Sequence, residues 1–415
     1  MISYKNIFSK TLLFSLCISV LNGLNAAERI HLDLSGKWQA GSSDNLKLQL
    51  PPPVKNWQSD TVPHKNGRTG LINTTGGPYM PNPARLLTKD GKSLKKQKDL
   101  TAWFRREFSV KSADLHNRVP MLHLGGAAYR SSIWINGKKA GETVQCCTPL
   151  DFPLKGLLKP GKNQITIAVT DREGLLSIPD KCYVSPCNGV MAGIRGPVQI
   201  DFLPETFIED VYIRTSVKNK KIDFDITLVN SGNKSMTVNP VAEIKEERPD
   251  SPVLKMIEGK PVVVKPGEKK TVTLSANWIA PRLWDVSDGY MYDACISLSE
   301  NNKSLDRKFI PFGFREFEIK GRDFYLNGSR IVMLRNSTLT SIGAENPPET
   351  DNVYNCYRQH LGFNNMNQIK SADRIGKMII PESSWSWVHC FPSSSKSAWL
   401  DNTKEYFKRW IKHLR

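Results

Sequence analysis

In "MIIPESSWSW" (378–387) Glu382 closes a short apolar run, and Trp385 and Trp387 follow it. Earlier, "IVMLRN" (331–336) carries Arg335 just past four apolar residues. A carboxylate at the end of a buried strand can move a proton or accept hydroxyl hydrogen bonds, a guanidinium can hold an anion, and an indole can stack on a sugar ring. Arg335, Glu382 and Trp385 are therefore candidates to line a ligand pocket. Each also has a plainer role open to it: Glu382 as a loop cap, Arg335 in a structural salt bridge, Trp385 and Trp387 as packing for the next helix.

The elements that must position these residues lie at the end of a long β-rich chain. From about residue 30 to 203 the pattern is short strands and Gly/Pro turns. "SSIWINGKKAG" (131–141) puts Ile133 and Ile135 on one face and turns at Asn136-Gly137, and "NQITIAV" (163–169) and "PVQIDFL" (197–203) alternate in the same way. A second β-block follows in "KIDFDITLVNSG" (221–232), "KPGEKKTVTLSANW" (265–278) and "YDACISLSE" (292–300). Near residue 318 the rhythm changes. A hairpin around Asn327-Gly328 runs into "IVML" as a buried strand, and "TDNVYNCYRQHLG" (350–362) has the marks of a capped helix. "GFNNMN" (362–367) and "GKMIIPESSW" (376–385) read as strands separated by the helical "IKSADRI" (369–375). A last helix carries Phe407, Trp410, Ile411 and Leu414 on one face. Strands alternating with helices open a parallel β/α unit.

Composition bounds what such a chain does. Its 415 residues suffice for two to four domains. Lys5 and Lys10 precede the apolar "TLLFSLCISVL" (11–21), and "GLNAA" (23–27) suits cleavage near Ala26 or Ala27, so residues 1–26 read as an export signal. That run is shorter than the roughly 20 residues needed to span a bilayer. No later segment is long and apolar enough, so no membrane span is expected and the location is periplasmic or secreted. The formal charge of +18 falls to +16 without Lys5 and Lys10. Its one dense basic stretch, "KDGKSLKKQKD" (89–99), lacks interleaved aromatics, which argues against nucleic acid and leaves an acidic glycan as a compatible partner. Of eight cysteines, none has a CxxC partner at zinc-ligand spacing, so no metal and no cofactor is expected. Cys182 and Cys187 flank "YVSP" and could close a local disulfide in an oxidising compartment.

The order of these blocks, together with particular stretches, resembles glycoside hydrolase family 2, the β-galactosidase, β-glucuronidase and β-mannosidase group. "LSGKWQ" (34–39), "AWFRREFSV" (102–110), "LHLGGAAYRSSIWINGKKAGE" (122–142), "FPLKGLLKPGKNQITIAV" (152–169) and "GIRGPVQI" (193–200) resemble its sugar-binding domain. "FGFREFEIKGRDFYLNGSRIVMLRN" (312–336) is similar to the join into its barrel, and "DRIGKMIIPE" (373–382) to the approach to its third barrel strand. The resemblance implies a mainly β multidomain chain. Residues 27–203 would form a galactose-binding-like jelly roll, 204–317 an immunoglobulin-like sandwich, and 318–415 the start of an incomplete (β/α)8 TIM barrel.

The resemblance also implies a retaining hydrolysis of O-glycosyl bonds by two carboxylates about 5–5.5 Å apart, one with a raised pKa, at the C-terminal ends of barrel strands. The family carries its acid/base in an Asn-Glu pair after the fourth strand and its nucleophile near the seventh. This sequence contains no Asn-Glu dipeptide. The chain is expected to stop before that strand, with both catalytic glutamates beyond residue 415 and the chain alone inactive. Arg335 matches a family Arg after the first barrel strand, although Asn336 and Thr338 stand where Gly and Asn are usual. Glu382 falls where the family carries acidic residues. The stretch Phe363–Gly376 is about ten residues shorter than the family's loop and helix. A barrel of three strands cannot close, so residues 318–415 are expected to be poorly stable alone. The competing readings are a non-catalytic carbohydrate-binding protein, with Trp103, Trp134 and Tyr129 as its aromatics, and a relic of a glycosidase.

Overall fold

Alternation of apolar and polar residues builds the first two layers. In the strand Gly161–Thr170, Ile165, Ile167 and Val169 are fully buried, and Ile167 is flanked across the antiparallel ladder by Phe104 and Ile133, also fully buried. The sheet has six strands, in the order Gln58–Val62, Gly36–Ser43, Thr101–Val110, Gly161–Thr170, Arg130–Ile135, Lys138–Thr143. A four-stranded sheet, Ile30–Asp33, Val198–Pro204, Arg118–Leu124, Leu150–Pro153, shares its core, with Leu122, Ile200 and Phe202 packed among Trp38, Phe104 and Ile133. The expected turn at Asn136-Gly137 has φ of 50° and 80°, the left-handed pair that a tight hairpin needs. The computed structural model describes residues 29–43, 48–64, 101–128, 130–143, 148–170, 193–286, 288–336, 353–360, 366–382 and 397–414.

The second β-block is another pair of sheets. Thr206–Ser216, Lys221–Asn230 and Lys269–Asn277 form one. Lys255–Glu258, Met236–Glu246, Tyr292–Glu300 and Lys303–Phe312 form the other, with Val262–Val264 beside Met236–Glu246. Phe224, Ile226, Leu228, Ile244, Ile296 and Phe312 fill the space between them. Arg29 ties the two blocks. Its guanidinium pairs with Asp306, whose side chain is fully buried, and donates to the Ile208 carbonyl at 2.6 Å, while the Ile208 amide donates to Asp306 at 2.7 Å. Both carboxylate oxygens of Asp306 thereby accept hydrogen bonds.

After residue 316 come a three-stranded antiparallel sheet, Phe317–Lys320, Asp323–Leu326, Ser329–Ile331, and then three parallel strands, Arg335–Asn336, Cys356–His360 and Met378–Glu382. The expected Asn327-Gly328 hairpin is present, with φ of 52° and 85°. Three expectations are corrected. The "IVML" strand stops at Ile331, because the Asn355 side chain accepts from the Leu334 amide and donates to the Val332 carbonyl, each at 2.9 Å, taking groups a ladder would use. The helix expected over 350–362 is instead the strand Cys356–His360, since pairing on both sides outweighs local cap signals in "NVYNCYRQH". Of the strand expected over 362–367, Met366 and Asn367 instead belong to a helix, Met366–Arg374, which is part of the crossover to the third parallel strand, and 362–365 lie outside the described residues. The last helix, Ser397–Leu414, lies where its periodicity placed it.

Candidate functional site

The three parallel strands are the elements that position Arg335 and Glu382. Their register runs Arg335↔Cys356↔Met378 and Asn336↔Tyr357↔Ile379, up to His360↔Glu382. Alternation separates two faces. Tyr357 and Ile379 pack with Ala372 of the crossover helix and with Tyr354. Arg335, Cys356, Arg358, Met378 and Ile380 share the opposite parity, and Ile380 and Arg335 are exposed. Burial pushes the Cys356 thiol up, against the charge of Arg335 and a backbone hydrogen bond at Tyr357, which disfavours its thiolate.

Glu382 is the last residue of the third strand, level with His360. Arg335 sits four register steps lower, about 13 Å along the strand direction at 3.3 Å per residue. The fold thus brings Glu382 beside His360, and places Arg335 at the other end of the shared ladder. His360 is not singled out by the sequence, because the cap signals place "CYRQH" in a helix. The signal that reveals it is the alternate-position series Cys356, Arg358, His360 in a strand paired along its length with Met378–Glu382. Trp385, Trp387, Cys182, Cys187 and Tyr129 lie outside the described residues.

The third strand is the edge of the parallel sheet among the described residues, and an apolar groove of about 510 Å³ runs beside it. Trp284, Phe324, Leu326, Ile369, Ile380 and Leu414 are among its lining residues. One polar cluster anchors its floor. The Trp284 indole N–H donates to the Asp373 carbonyl at 2.6 Å, Arg315 lies 4.4 Å above the indole ring, and Arg315 pairs with the Asp373 carboxylate at 2.8 Å. The Asp373 carboxylate is thus committed to a structural ion pair. Arg374, next in the helix, pairs with Glu247 of the second block. The aromatics of the first block are also committed: Trp103 and Trp134 are 0% and 5% exposed and stack on each other at 5.7 Å, so neither offers a face to a sugar. The register sets the backbones of Glu382 and His360 side by side at the strand ends, and it brings no second carboxylate to that level among the described residues.

Comparison with known proteins finds two family models. "Glycosyl hydrolases family 2" matches residues 206–315, and "Beta-galactosidase second all-beta domain" matches residues 76–174. The chain is similar to a β-galactosidase of Clostridium acetobutylicum (26% identical over 230 residues, 54% of this chain and 24% of that protein). It is also similar to a putative β-glucuronidase of Formosa agariphila (22% over 322 residues, 73% and 37%). Among solved structures, Bacteroides uniformis β-glucuronidase superposes with a TM-score of 0.71 at 18% identity, covering 93% of this chain and 45% of that one. A Ruminococcus gnavus β-glucuronidase in complex with D-glucuronic acid superposes with a TM-score of 0.64 at 16% identity, covering 95% and 66%. The alignments to these two curated relatives span 24% and 37% of their length.

Proposed function

The chain belongs to glycoside hydrolase family 2, and from that premise we propose that it is the N-terminal part of an exported retaining β-glycosidase. The observation that carries the reading is the order of elements. Two pairs of antiparallel sheets lead into parallel strands, and the third of these ends in Glu382 and is the edge strand among the described residues, beside an apolar groove. In this reading residues 27–203 are the jelly roll, 204–317 the immunoglobulin-like sandwich and 318–415 the opening of the barrel. The groove beside the third strand receives the fourth strand of that barrel. In this reading Glu382 and Arg335, four register steps apart along the ladder, are the substrate-lining candidates, with Trp385, three residues further along the sequence, as a third.

Catalysis then rests on two carboxylates outside residues 1–415, one protonating the leaving oxygen and the other attacking the anomeric carbon. The substrate is a β-glycoside. Both β-galactosidases and β-glucuronidases stand among the relatives, and the surplus of basic residues favours an acidic sugar. A second reading, a carbohydrate-binding protein without catalysis, is favoured by the missing Asn-Glu pair. Sequencing the coding DNA past codon 415 tests the choice. A continuing or adjacent frame with a fourth strand ending in Asn-Glu is the expected result, and its absence would favour the binding reading. Export is tested separately by N-terminal sequencing of the secreted product, which should begin just after Ala26 or Ala27.

A further inference from the structure

The outer face of the six-stranded sheet is half covered. Leu48, Leu50, Val54 and Trp57 fold across it and pack on the stacked pair Trp103 and Trp134. The approach is closest at Gly41, where a Cβ would meet Val54 Cγ1 at 2.2 Å. Beyond Trp57, Lys37, Gln39, Glu107 and Gln164 are exposed, and a groove of about 780 Å³ runs over them. Arg105 is fixed in that groove. Its Nε donates to Gln39 Oε1 at 2.7 Å and its guanidinium lies 4.0 Å from the Trp57 ring centroid.

This posture uses Nε and one flat face, and it leaves the Nη1/Nη2 edge without an ion-pair partner among the described residues. A sheet-surface arginine ordinarily finds a cross-strand carboxylate, as Arg214 does with Asp225. Here the cross-strand neighbours are Gln39 and Thr166. Arg106, next in the strand, is spent on the Leu34 and Ser35 carbonyls. A guanidinium already ordered by an amide and an indole loses little freedom when a ligand arrives, and its fork matches a planar carboxylate in a bidentate pair. Lys37 adds positive charge to the lining of the groove, and Gln58, Gln164 and Glu107 line it with amide and carboxylate groups that can bind hydroxyls.

We propose that this groove is a non-catalytic binding site for an anionic glycan, with Arg105 receiving the carboxylate of a uronic acid residue and Trp57 holding Arg105 in place. The site belongs to a different sheet from the parallel strands, so it operates whether or not this chain takes part in catalysis.

Affinity electrophoresis of the full chain in polygalacturonate gels, with dextran as the neutral control, tests it. The wild type should be retarded by polygalacturonate and not by dextran. Arg105→Gln should weaken binding by about tenfold or more, and Arg105→Lys, which keeps the charge and loses the fork, should weaken it nearly as much. Trp57→Ala should weaken it too, and Lys303→Gln, an equal loss of charge at an exposed position of the second block, should leave it within about twofold. The melting temperature of Arg105→Gln should match the wild type. No retardation of the wild type, equal retardation by dextran, or equal effects of Arg105→Gln and Lys303→Gln would overturn the proposal, the last pointing to diffuse attraction by a basic surface.

Discussion

Replacing Trp284 with alanine should detach the parallel unit from the second pair of sheets. Trp284 is 1% exposed and packs with Met291 and Leu326, with Ile331 and Met378 against them. Its truncation removes a large aromatic from a packed site, a change of about 3–5 kcal/mol. It also removes the short indole bond to the Asp373 carbonyl, leaving that group the longer bond from the Gly376 amide at 3.4 Å at the end of the helix, and takes the ring from under Arg315. Trp284→Phe keeps most of the apolar volume and loses the hydrogen bond, so it should destabilise by only about 1–2 kcal/mol. Urea unfolding gives the totals, and hydrogen exchange by mass spectrometry locates them. In Trp284→Ala the peptides covering 366–382 should lose protection while those covering 221–230 keep theirs. A variant within about 1 kcal/mol of wild type, or one whose exchange at 366–382 is unchanged, would refute the reasoning.

Gly289→Ala should act at the same junction, since a Cβ there would lie 2.4 Å from both the Asp373 carbonyl oxygen and the Arg374 carbonyl carbon, and a loss of about 1–3 kcal/mol in a thermal melt is expected. The pair His123–Asp151, at 2.7 Å, makes stability depend on pH. Burial lowers the His123 pKa, yet the Asp151 hydrogen bond and the charges of Asp151 and Asp201 outweigh it and hold the imidazole above its ordinary value. Burial likewise raises Asp151, and the bond and charge of His123 outweigh it and hold the carboxyl below its ordinary value. The contribution is therefore full between the ordinary Asp and His values. It is lost as pH rises through the raised His123 value, and again as pH falls through the lowered Asp151 value. His123→Gln should remove the alkaline loss, by at most about 1 kcal/mol because the pair is solvent-screened, in urea melts between pH 6 and 8. Burial pushes the Cys295 thiol up to about 11 and the Cys356 thiol up as well, so neither should react with iodoacetamide at pH 8 until the chain is unfolded, as read by peptide mass spectrometry.

The two β-blocks were legible in the sequence because period-2 alternation and left-handed Asn-Gly turns are local signals: Ile133, Ile135, Ile165, Ile167 and Val169 all face the core they were assigned to. The parallel unit was legible only in outline. A strand paired on both edges need not alternate, so Cys356–His360 looked helical, and "IVML" looked like a barrel strand although Asn355 diverts its backbone. The candidate site follows the same division. Glu382 was found at the end of a recognisable strand, whereas its neighbour His360 depends on register, which no local pattern encodes. Arg105 and Trp57 were missed because their meaning is a cation stacked on a ring between a strand and the segment that covers it.

The central proposal is that hydrolysis by this protein needs catalytic carboxylates outside residues 1–415. Incubating the purified 415-residue chain with 4-nitrophenyl β-D-glucuronide and β-D-galactoside tests it most directly. The account predicts release of nitrophenol no faster than in the enzyme-free blank, for both substrates. Steady turnover of either one that disappears in Glu382→Gln would contradict it, and would make Glu382 part of a catalytic pair within this chain.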